Sequence, residues 1–175
     1  MSVYSYGKHD PRIPPSCFVA PSADVIGKVS LGENASLWYQ VVARGDVNRI
    51  EVGENTNIQD LSMLHVIDEL PLIIGSNVSV GHHVTLHACT VEDHCLIGMG
   101  AVVLDGAKIG ENSLVAAGAL VPPGKEFPPD SMIMGSPAKL IRELTPEEKK
   151  RYGNHYLSYL ETKNAYLKEG FIKKL

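Results

Sequence analysis

Three histidines, His65, His82 and His87, lie in one stretch of the chain between Arg44 and Cys89. Neutral imidazole is a common zinc ligand, and three histidines with an open fourth position are the ligand set of a catalytic zinc site. Water on such a zinc ionises near pH 7, which makes it a nucleophile. Iron(II) or cobalt(II) would also suit three nitrogen ligands. The residue types therefore predict a metal site, provided that the fold brings the three side chains together.

The elements that must position these histidines are short repeats, because an aliphatic residue recurs at intervals of six. A helix repeats about every 3.6 residues and a strand about every two, whereas hexapeptide repeats are typical of a parallel β-helix. The units resemble those of the left-handed β-helix, in which three units form one triangular coil. An amphipathic strand sandwich is the alternative fold. The series is Val19, Val25, Leu31, Leu37, Val52, Ile58, Leu64, Ile74, Val80, Leu86, Val91, Ile97, Val103, Ile109, Val115 and Val121.

Counting three units per coil gives the register of the histidines. Arg44, His65 and His87 each hold the second position of a unit, and the count places those three units on one face. Neighbouring coils pair like adjacent strands, about 4.7–4.9 Å apart. His65 and His87 are therefore expected to stack, close enough for one nitrogen of each to reach a single metal at about 2.0–2.1 Å.

The third histidine, His82, lies on the preceding face, where it is expected to stack on Asp60. Because the coil is triangular, a rotation of roughly a third of a turn separates His82 from His65 and His87 within one subunit. In a threefold trimer, the His82 face of one prism can pack against the His65 and His87 face of the next. The repeat therefore predicts a site of three histidines shared by two chains. An ordinary surface or interface role is the alternative for each histidine taken alone.

The chain is expected to form one domain. We expect a β-helix over residues 13–124, an exit turn and linker over 125–144 and a C-terminal α-helix over 145–170, packed on the prism, within a single domain of residues 1–175. The segment after the last repeat is rich in Pro and Gly, which favours turns. Thr145, Pro146 and Glu148 have the spacing of a capping box with proline at the first helical position. Loops are expected at two interruptions of the repeat, around residues 49–51 and 70–73.

Composition excludes several classes of protein. A net charge of −4 and a pI near 6.0 predict no nucleic-acid partner. The N-terminus lacks the apolar segment of a signal peptide, and no run of about 18 apolar residues occurs, so we expect a cytoplasmic protein without a membrane span. Cys17, Cys89 and Cys95 are odd in number and lack CxxC spacing, which predicts reduced thiols rather than disulfides.

Several motifs together resemble the γ-class carbonic anhydrase family of trimeric left-handed β-helix metalloproteins. They are RGD from Arg44, NIQD from Asn57, LH from Leu64, GHxxxLH from Gly81 and GSPAK from Gly135. The resemblance implies a homotrimer that hydrates CO2 to bicarbonate, a lyase with Zn2+ or, alternatively, Fe2+ or Co2+. It also implies that His65 and His87 bind the metal from one subunit and His82 from its neighbour.

The resemblance implies further roles. Gln59 would correspond to the family glutamine that hydrogen-bonds the metal-bound hydroxide or the substrate, although a residue that caps a prism corner is the alternative. Tyr159 would correspond to a tyrosine that the terminal helix presents toward the cleft, or it packs in the core. The charged residues Arg44, Asp46 and Asp60 would lie at the subunit contact, where an arginine bound to carboxylates holds register and leaves the chemistry to the metal.

One departure from the family and three other functions remain open. Founding members carry a glutamate for proton transfer just after the RGD-like aspartate, where this chain has Val47, so weak activity is an alternative to fast activity. Asp68 and Glu69 could take over the proton. The other functions are a hexapeptide-repeat acyltransferase with a histidine base, a metal-dependent thioesterase, and a trimer held together by a non-catalytic metal.

Overall fold

The structure, a computed structural model, describes residues 2–168. Its strands are β1 (Ser2–Tyr4), β2 (Phe18–Val19), β3 (Asp24–Leu31), β4 (Ser36–Leu37), β5 (Val42–Val52), β6 (Asn57–Ile58), β7 (Met63–His65), β8 (Leu72–Ile74), β9 (Ser79–Val80), β10 (Thr85–His87), β11 (Thr90–Val91), β12 (Leu96–Ile97), β13 (Val102–Val103), β14 (Lys108–Ile109), β15 (Leu114–Val115), β16 (Leu120–Val121), β17 (Glu126–Phe127), β18 (Ser131–Gly135) and β19 (Ala138–Glu143). The helices are α1 (Pro146–Gly153) and α2 (Tyr156–Tyr166).

The strands stack in successive coils. Strand β10 pairs in parallel with β7 on one side and with β13 on the other, and β12 pairs likewise with β9 and β15. One sheet runs β19-β18-β15-β12-β9-β6-β4-β2, and a second runs β16-β13-β10-β7-β5-β8-β11-β14-β17, with β3 and β1 attached to β5. The predicted parallel β-helix of hexapeptide repeats is confirmed.

The core is the column of aliphatic side chains inside the coils. Every residue of the six-residue series from Val25 to Val121 is buried, whereas Val19 is half-buried. Asn34, Asn55 and Asn77 turn the chain at corners with φ of 60°, 57° and 59°, a region in which asparagine is several-fold enriched. Because the residues of the series must face the core, their neighbours in each short strand point outward.

The two interruptions of the repeat take different forms. Residues around 49–51, predicted as a loop, continue the long strand β5, whose register shifts against β3 between Gly27 and Val29. The second interruption is a loop at residues 66–71, slightly earlier than predicted. Asn48 Nδ2 donates to the Asp68 carbonyl at 2.9 Å. This bond ties the loop to β5, where the extra residues keep their ladder partners and so remain a strand.

The β-helix extends beyond residue 124. The prediction of an exit turn and linker over 125–144 is not what the structure has, because β17 stacks on β14 and β18 stacks on β15. Phe127 and Ile133 are buried and continue the six-residue spacing after Val121. An aromatic residue in an aliphatic series, next to prolines, concealed this last part of the repeat. The chain then leaves through the antiparallel hairpin of β18 and β19.

The C-terminal helix is in two pieces. The predicted capping box starts α1: Glu148 N–H donates to Thr145 Oγ1 at 3.2 Å, and Thr145 N–H donates to a Glu148 carboxylate oxygen at 2.9 Å. Hydrogen bonds from Arg142, and then the one from Thr145, lower the pKa of Glu148 to about 2. The helix breaks at Asn154 and His155, so the single helix predicted over 145–170 is two helices, and its last two residues lie outside the described range.

Helix α2 packs over the face formed by β4, β6 and β9. The ring of Tyr159 lies 5.4 Å from that of Trp38, and the ring of Tyr166 lies 5.0 Å from it. Lys163 is buried and donates to the Ser16 carbonyl at 2.9 Å and to Asn34 Oδ1 at 3.2 Å. Helix α2 is therefore held to the prism by aromatic packing and by a buried ammonium group.

A membrane-spanning helix is not found within residues 2–168, since neither α1 nor α2 is long and apolar enough to cross a bilayer.

Candidate metal centre

His65 ends β7 and His87 ends β10. The two strands pair in parallel with His87 directly opposite His65, and His65 is opposite Arg44 of β5. The predicted stacking of the two histidines is confirmed. Their rings are tilted, and His65 Nδ1 lies 3.0 Å from His87 Nε2. Two imidazole nitrogens on one tetrahedral zinc stand about 3.3 Å apart, so the pair has the separation that two ligands of one metal need.

The other nitrogen of each ring faces a carboxylate. His65 Nε2 lies 3.2 Å from Asp46 Oδ1, and His87 Nδ1 contacts Asp105 Oδ1. A neutral histidine that donates to a carboxylate through one nitrogen carries a lone pair on the other. The nitrogens that face each other then both present lone pairs, an arrangement that a cation between them would satisfy. Carboxylate partners of this kind fix the tautomer of metal-binding histidines, so the residues present fit a metal.

Asp105 was missed in the sequence. It stands in the repeat that begins at Val103, three units after the repeat of His87, but one position further along its repeat than His87. Counting units therefore places Leu104, not Asp105, opposite His87. A search for ligand types alone does not find it, because its role is to hold a ligand.

Asp46 is bound from three directions. Arg44 Nη1 contacts its Oδ2, and the Val47 N–H donates to its Oδ1 at 3.0 Å. His65 Nε2 also lies within hydrogen-bonding distance of Oδ1, at 3.2 Å. Burial raises the pKa of Asp46, but the hydrogen bonds from Arg44, Val47 and His65 outweigh this effect and hold its pKa below the usual value. Asp46 is therefore ionised at neutral pH and can hold the His65 ring. Arg44 and Asp46 meet within one chain; their predicted place at a subunit contact remains a prediction.

His82 lies on the neighbouring face, as the repeat predicts. Its Nδ1 is 2.9 Å from Asp60 Oδ2, whose other oxygen accepts from the Tyr39 N–H at 3.2 Å. His82 Nε2 is thereby turned outward from the carboxylate, and the side chain is 40% exposed. Within the part of one chain that the structure describes, no three His, Cys, Asp or Glu side chains are placed to hold a metal ion. The structure does not bring His82 to the His65 and His87 pair, so a shared site remains a prediction.

The two predicted catalytic side chains lie on the His82 side of the prism. Gln59 is buried, and its Nε2 donates to Asn57 Oδ1 at 3.0 Å. Tyr159 of α2 packs on Trp38 and is half-buried. Burial, followed by the charge of Asp60, raises the pKa of Tyr159, which keeps its phenol protonated at neutral pH.

Cys89 is not a ligand candidate. It follows His87 by two residues, but its side chain is buried in the core, and burial raises the pKa of its thiol to about 12. Metals bind the thiolate, which this environment disfavours. The three cysteines are free and buried, as the composition predicted.

Replacing Asp105 by Asn is expected to lower metal affinity about 10- to 100-fold, because the charged partner that fixes the His87 tautomer is lost. The matched control is Glu126→Gln, which changes an exposed carboxylate on β17. Competition titration against a chromophoric chelator measures both. Equal affinities for the two variants would contradict the role of Asp105.

Comparison with known proteins shows which family the chain resembles. The family model described as bacterial transferase hexapeptide (six repeats) matches residues 88–123. Gamma carbonic anhydrase 2, mitochondrial, of Arabidopsis thaliana is 48% identical over 144 residues, which are 79% of this chain and 52% of that protein. The chain thus spans about half the length of this plant relative.

Two further proteins match over nearly their whole length. The carbonic anhydrase of Geobacillus kaustophilus is 43% identical over 164 residues, covering 94% of this chain and 90% of the relative. A crystal structure from Bacillus cereus, provisionally named an acetyltransferase, has a TM-score of 0.93 and 42% identity and covers 94% of this chain and 96% of its own. Since the identity to the carbonic anhydrases extends over most of the chain, the chain belongs to the γ-carbonic anhydrase-like family of hexapeptide-repeat proteins.

Proposed function

We propose that this chain is a carbonic anhydrase-type enzyme that hydrates CO2 to bicarbonate at a site between subunits of a homotrimer. His65 and His87 of one subunit and His82 of its neighbour would hold the metal, with Zn2+ first and Fe2+ or Co2+ as alternatives. The observation that carries the proposal is the pair of facing nitrogens of His65 and His87, 3.0 Å apart, with a carboxylate behind each ring. The names of the relatives support the same substrate.

The metal would supply a water with a pKa near 7 and thus a nucleophile at neutral pH. The protein's contribution is to orient the imidazoles and to fix their tautomers. Asp46, Asp105 and Asp60 each accept from one ring nitrogen, so that the opposite nitrogen of each histidine carries its lone pair. Loss of any of these carboxylates would allow the wrong tautomer, which turns an N–H toward the ligand position.

Gln59 would orient the attacking water or the substrate. Because its Nε2 is already bound to Asn57, its Oε1 is the end of the amide that remains to accept a hydrogen bond. Tyr159, whose phenol stays protonated, would donate to an oxygen of the substrate or product. Both roles place small polar groups around the reacting carbon without adding charge.

Proton transfer is the step for which this chain differs from the family pattern. Each hydration releases one proton, and Val47, 42% exposed, stands where the family has a glutamate. Asp68 and Glu69 are exposed in the loop 66–71, which Asn48 of β5 holds through the Asp68 carbonyl. We expect these carboxylates to pass the proton to buffer, and the rate to depend strongly on buffer concentration.

The test is stopped-flow CO2 hydration with protein purified without oxygen and loaded with zinc or iron(II). We expect metal-dependent turnover in the wild type and its loss in His87→Ala, while His83→Asn, an exposed neighbour of His82 with φ of 58°, retains it. Turnover that survives chelation, or that is equal in His87→Ala, would contradict the proposal.

Acyl transfer is the second candidate, because the matching family model and the Bacillus cereus structure carry transferase names. A histidine base would act on an acyl thioester without any metal, whereas metal-dependent thioester hydrolysis would need the same histidines as CO2 hydration. Thioester turnover by chelated protein, in the absence of CO2 hydration, would favour the transferase. A metal-held trimer without catalysis would lose its assembly on chelation and show neither turnover.

A further inference from the structure

We infer that Ser79 and His155 are positioning residues that set which end of the Gln59 amide faces the candidate site. They act through a series of side-chain hydrogen bonds that runs under helix α2. The inference rests on the proposed function, in which Gln59 orients the water or substrate. It gives helix α2 a task beyond packing on the prism, because His155 is the residue immediately before this helix.

This series of hydrogen bonds begins at stacked polar side chains of the sheet that α2 covers. Ser36, Asn57 and Ser79 stand opposite one another in successive coils, and all three are buried. Asn57 Nδ2 donates to Ser79 Oγ at 2.9 Å and, more weakly, to the Val78 carbonyl at 3.4 Å. Ser79 Oγ lies 3.3 Å from His155 Nδ1. Side-chain hydrogen bonds therefore link Gln59 to Asn57, Asn57 to Ser79 and Ser79 to His155.

The direction of each bond follows from the last acceptor. When His155 Nδ1 carries a lone pair, the Ser79 hydroxyl donates its only proton to that nitrogen and offers lone pairs to Asn57. Asn57 must then turn Nδ2 toward Ser79 and Oδ1 toward Gln59. Gln59 in turn directs Nε2 to Asn57, and its Oε1 is left for the site. Partial burial of the His155 ring lowers its pKa, which favours the neutral form that this direction requires.

These hydrogen bonds can take the opposite direction when His155 no longer accepts from Ser79. Without His155 as acceptor, the Ser79 hydroxyl is free to donate to Asn57, and both amides can flip so that Gln59 presents Nε2 instead of Oε1. An amide with the wrong end toward the site donates where it should accept. His155, which touches no reacting atom, thus controls whether Gln59 accepts or donates a hydrogen bond at the candidate site.

Ser36 provides a matched control. It occupies the same ladder on the other side of Asn57 and is equally buried, but its Oγ accepts from Trp38 Nε1 at 3.1 Å. If Ser79 served only to pack beneath the helix region, Ser36→Ala and Ser79→Ala would have similar consequences. Only Ser79→Ala removes the hydroxyl that joins Asn57 to His155.

The first readout is independent of activity. Gln59 and Gln40 are the only glutamines in the sequence, so selective side-chain 15N labelling gives two amide pairs, with Gln40 as an internal reference. We expect the Gln59 signals to move and to exchange faster with solvent in Ser79→Ala and His155→Leu, and to keep their wild-type positions in Ser36→Ala. His155→Asn, whose Oδ1 can replace the Nδ1 acceptor, is expected to restore them. Unchanged Gln59 signals in Ser79→Ala and His155→Leu would overturn the inference.

The second readout is kcat/KM for CO2 hydration in metal-loaded protein. Ser79→Ala and His155→Leu are expected to fall about 3- to 10-fold below Ser36→Ala, the factor that corresponds to one ordinary hydrogen bond. His155 is exposed, so its variants test the chain even if Ser79→Ala does not fold. Equal values in all variants would overturn the inference. An inactive wild type would contradict the proposed function instead, and the NMR comparison would then decide the positioning of Gln59 by itself.

Discussion

Coexpressed His82→Ala and His87→Ala chains are expected to bind metal together, although each variant alone does not. In a cyclic trimer each site takes His65 and His87 from one chain and His82 from the next. A His82→Ala chain followed by a His87→Ala chain supplies all three histidines. Random assembly of equal amounts forms this pair at about one interface in four, so about a quarter of the wild-type metal content is expected.

Metal content per chain, measured after gel filtration, tests this result. The control mixture is His65→Ala with His87→Ala, which removes two ligands of the same face and regenerates no complete site in any arrangement. Restoration in the control, or its absence in the first mixture, would contradict a site shared between chains. Because the structure of one chain keeps His82 apart from the other two histidines, this mixture tests whether two subunits together complete one metal site.

Truncating the core is expected to have the largest effect on stability. Ile109 is fully buried and stacks between Val91 and Phe127 in the neighbouring coils. Ile109→Ala should lower the free energy of unfolding by about 2–5 kcal/mol, since it removes buried methyl groups and leaves a cavity between rigid coils. Guanidinium unfolding at a fixed chain concentration, with a chelator present, measures it without a metal contribution.

The neighbouring residue serves as the control for this prediction. Lys108 precedes Ile109 in the same two-residue strand, points outward and pairs with Glu92 at 2.8 Å. Lys108→Ala should leave the free energy of unfolding nearly unchanged, because an exposed ion pair contributes little. Similar losses for both variants would show that the alternation of inward and outward residues does not govern stability here.

The six-residue period by itself determined most of the fold and part of the candidate site. An aliphatic residue at every sixth position must face the axis, and this fixes the coil on which every other residue lies. The stacking of His65 on His87 and of His82 beside Asp60 follows from counting units. The capping box at Thr145 is equally local, since its partners lie within one turn. Such features were predictable because they depend on spacing along the chain.

Other features were decided only by the tertiary structure. Phe127 continues the repeat in a form that an aliphatic pattern does not include. Asp105 became visible as the partner of His87 only when their side chains were placed. The link from Ser79 to His155 joins residues 76 positions apart, and it exists because α2 folds back over one particular face. Periodicity fixes the height and face of a residue on the prism, whereas the direction of a polar side chain depends on neighbours that the fold brings from elsewhere in the chain.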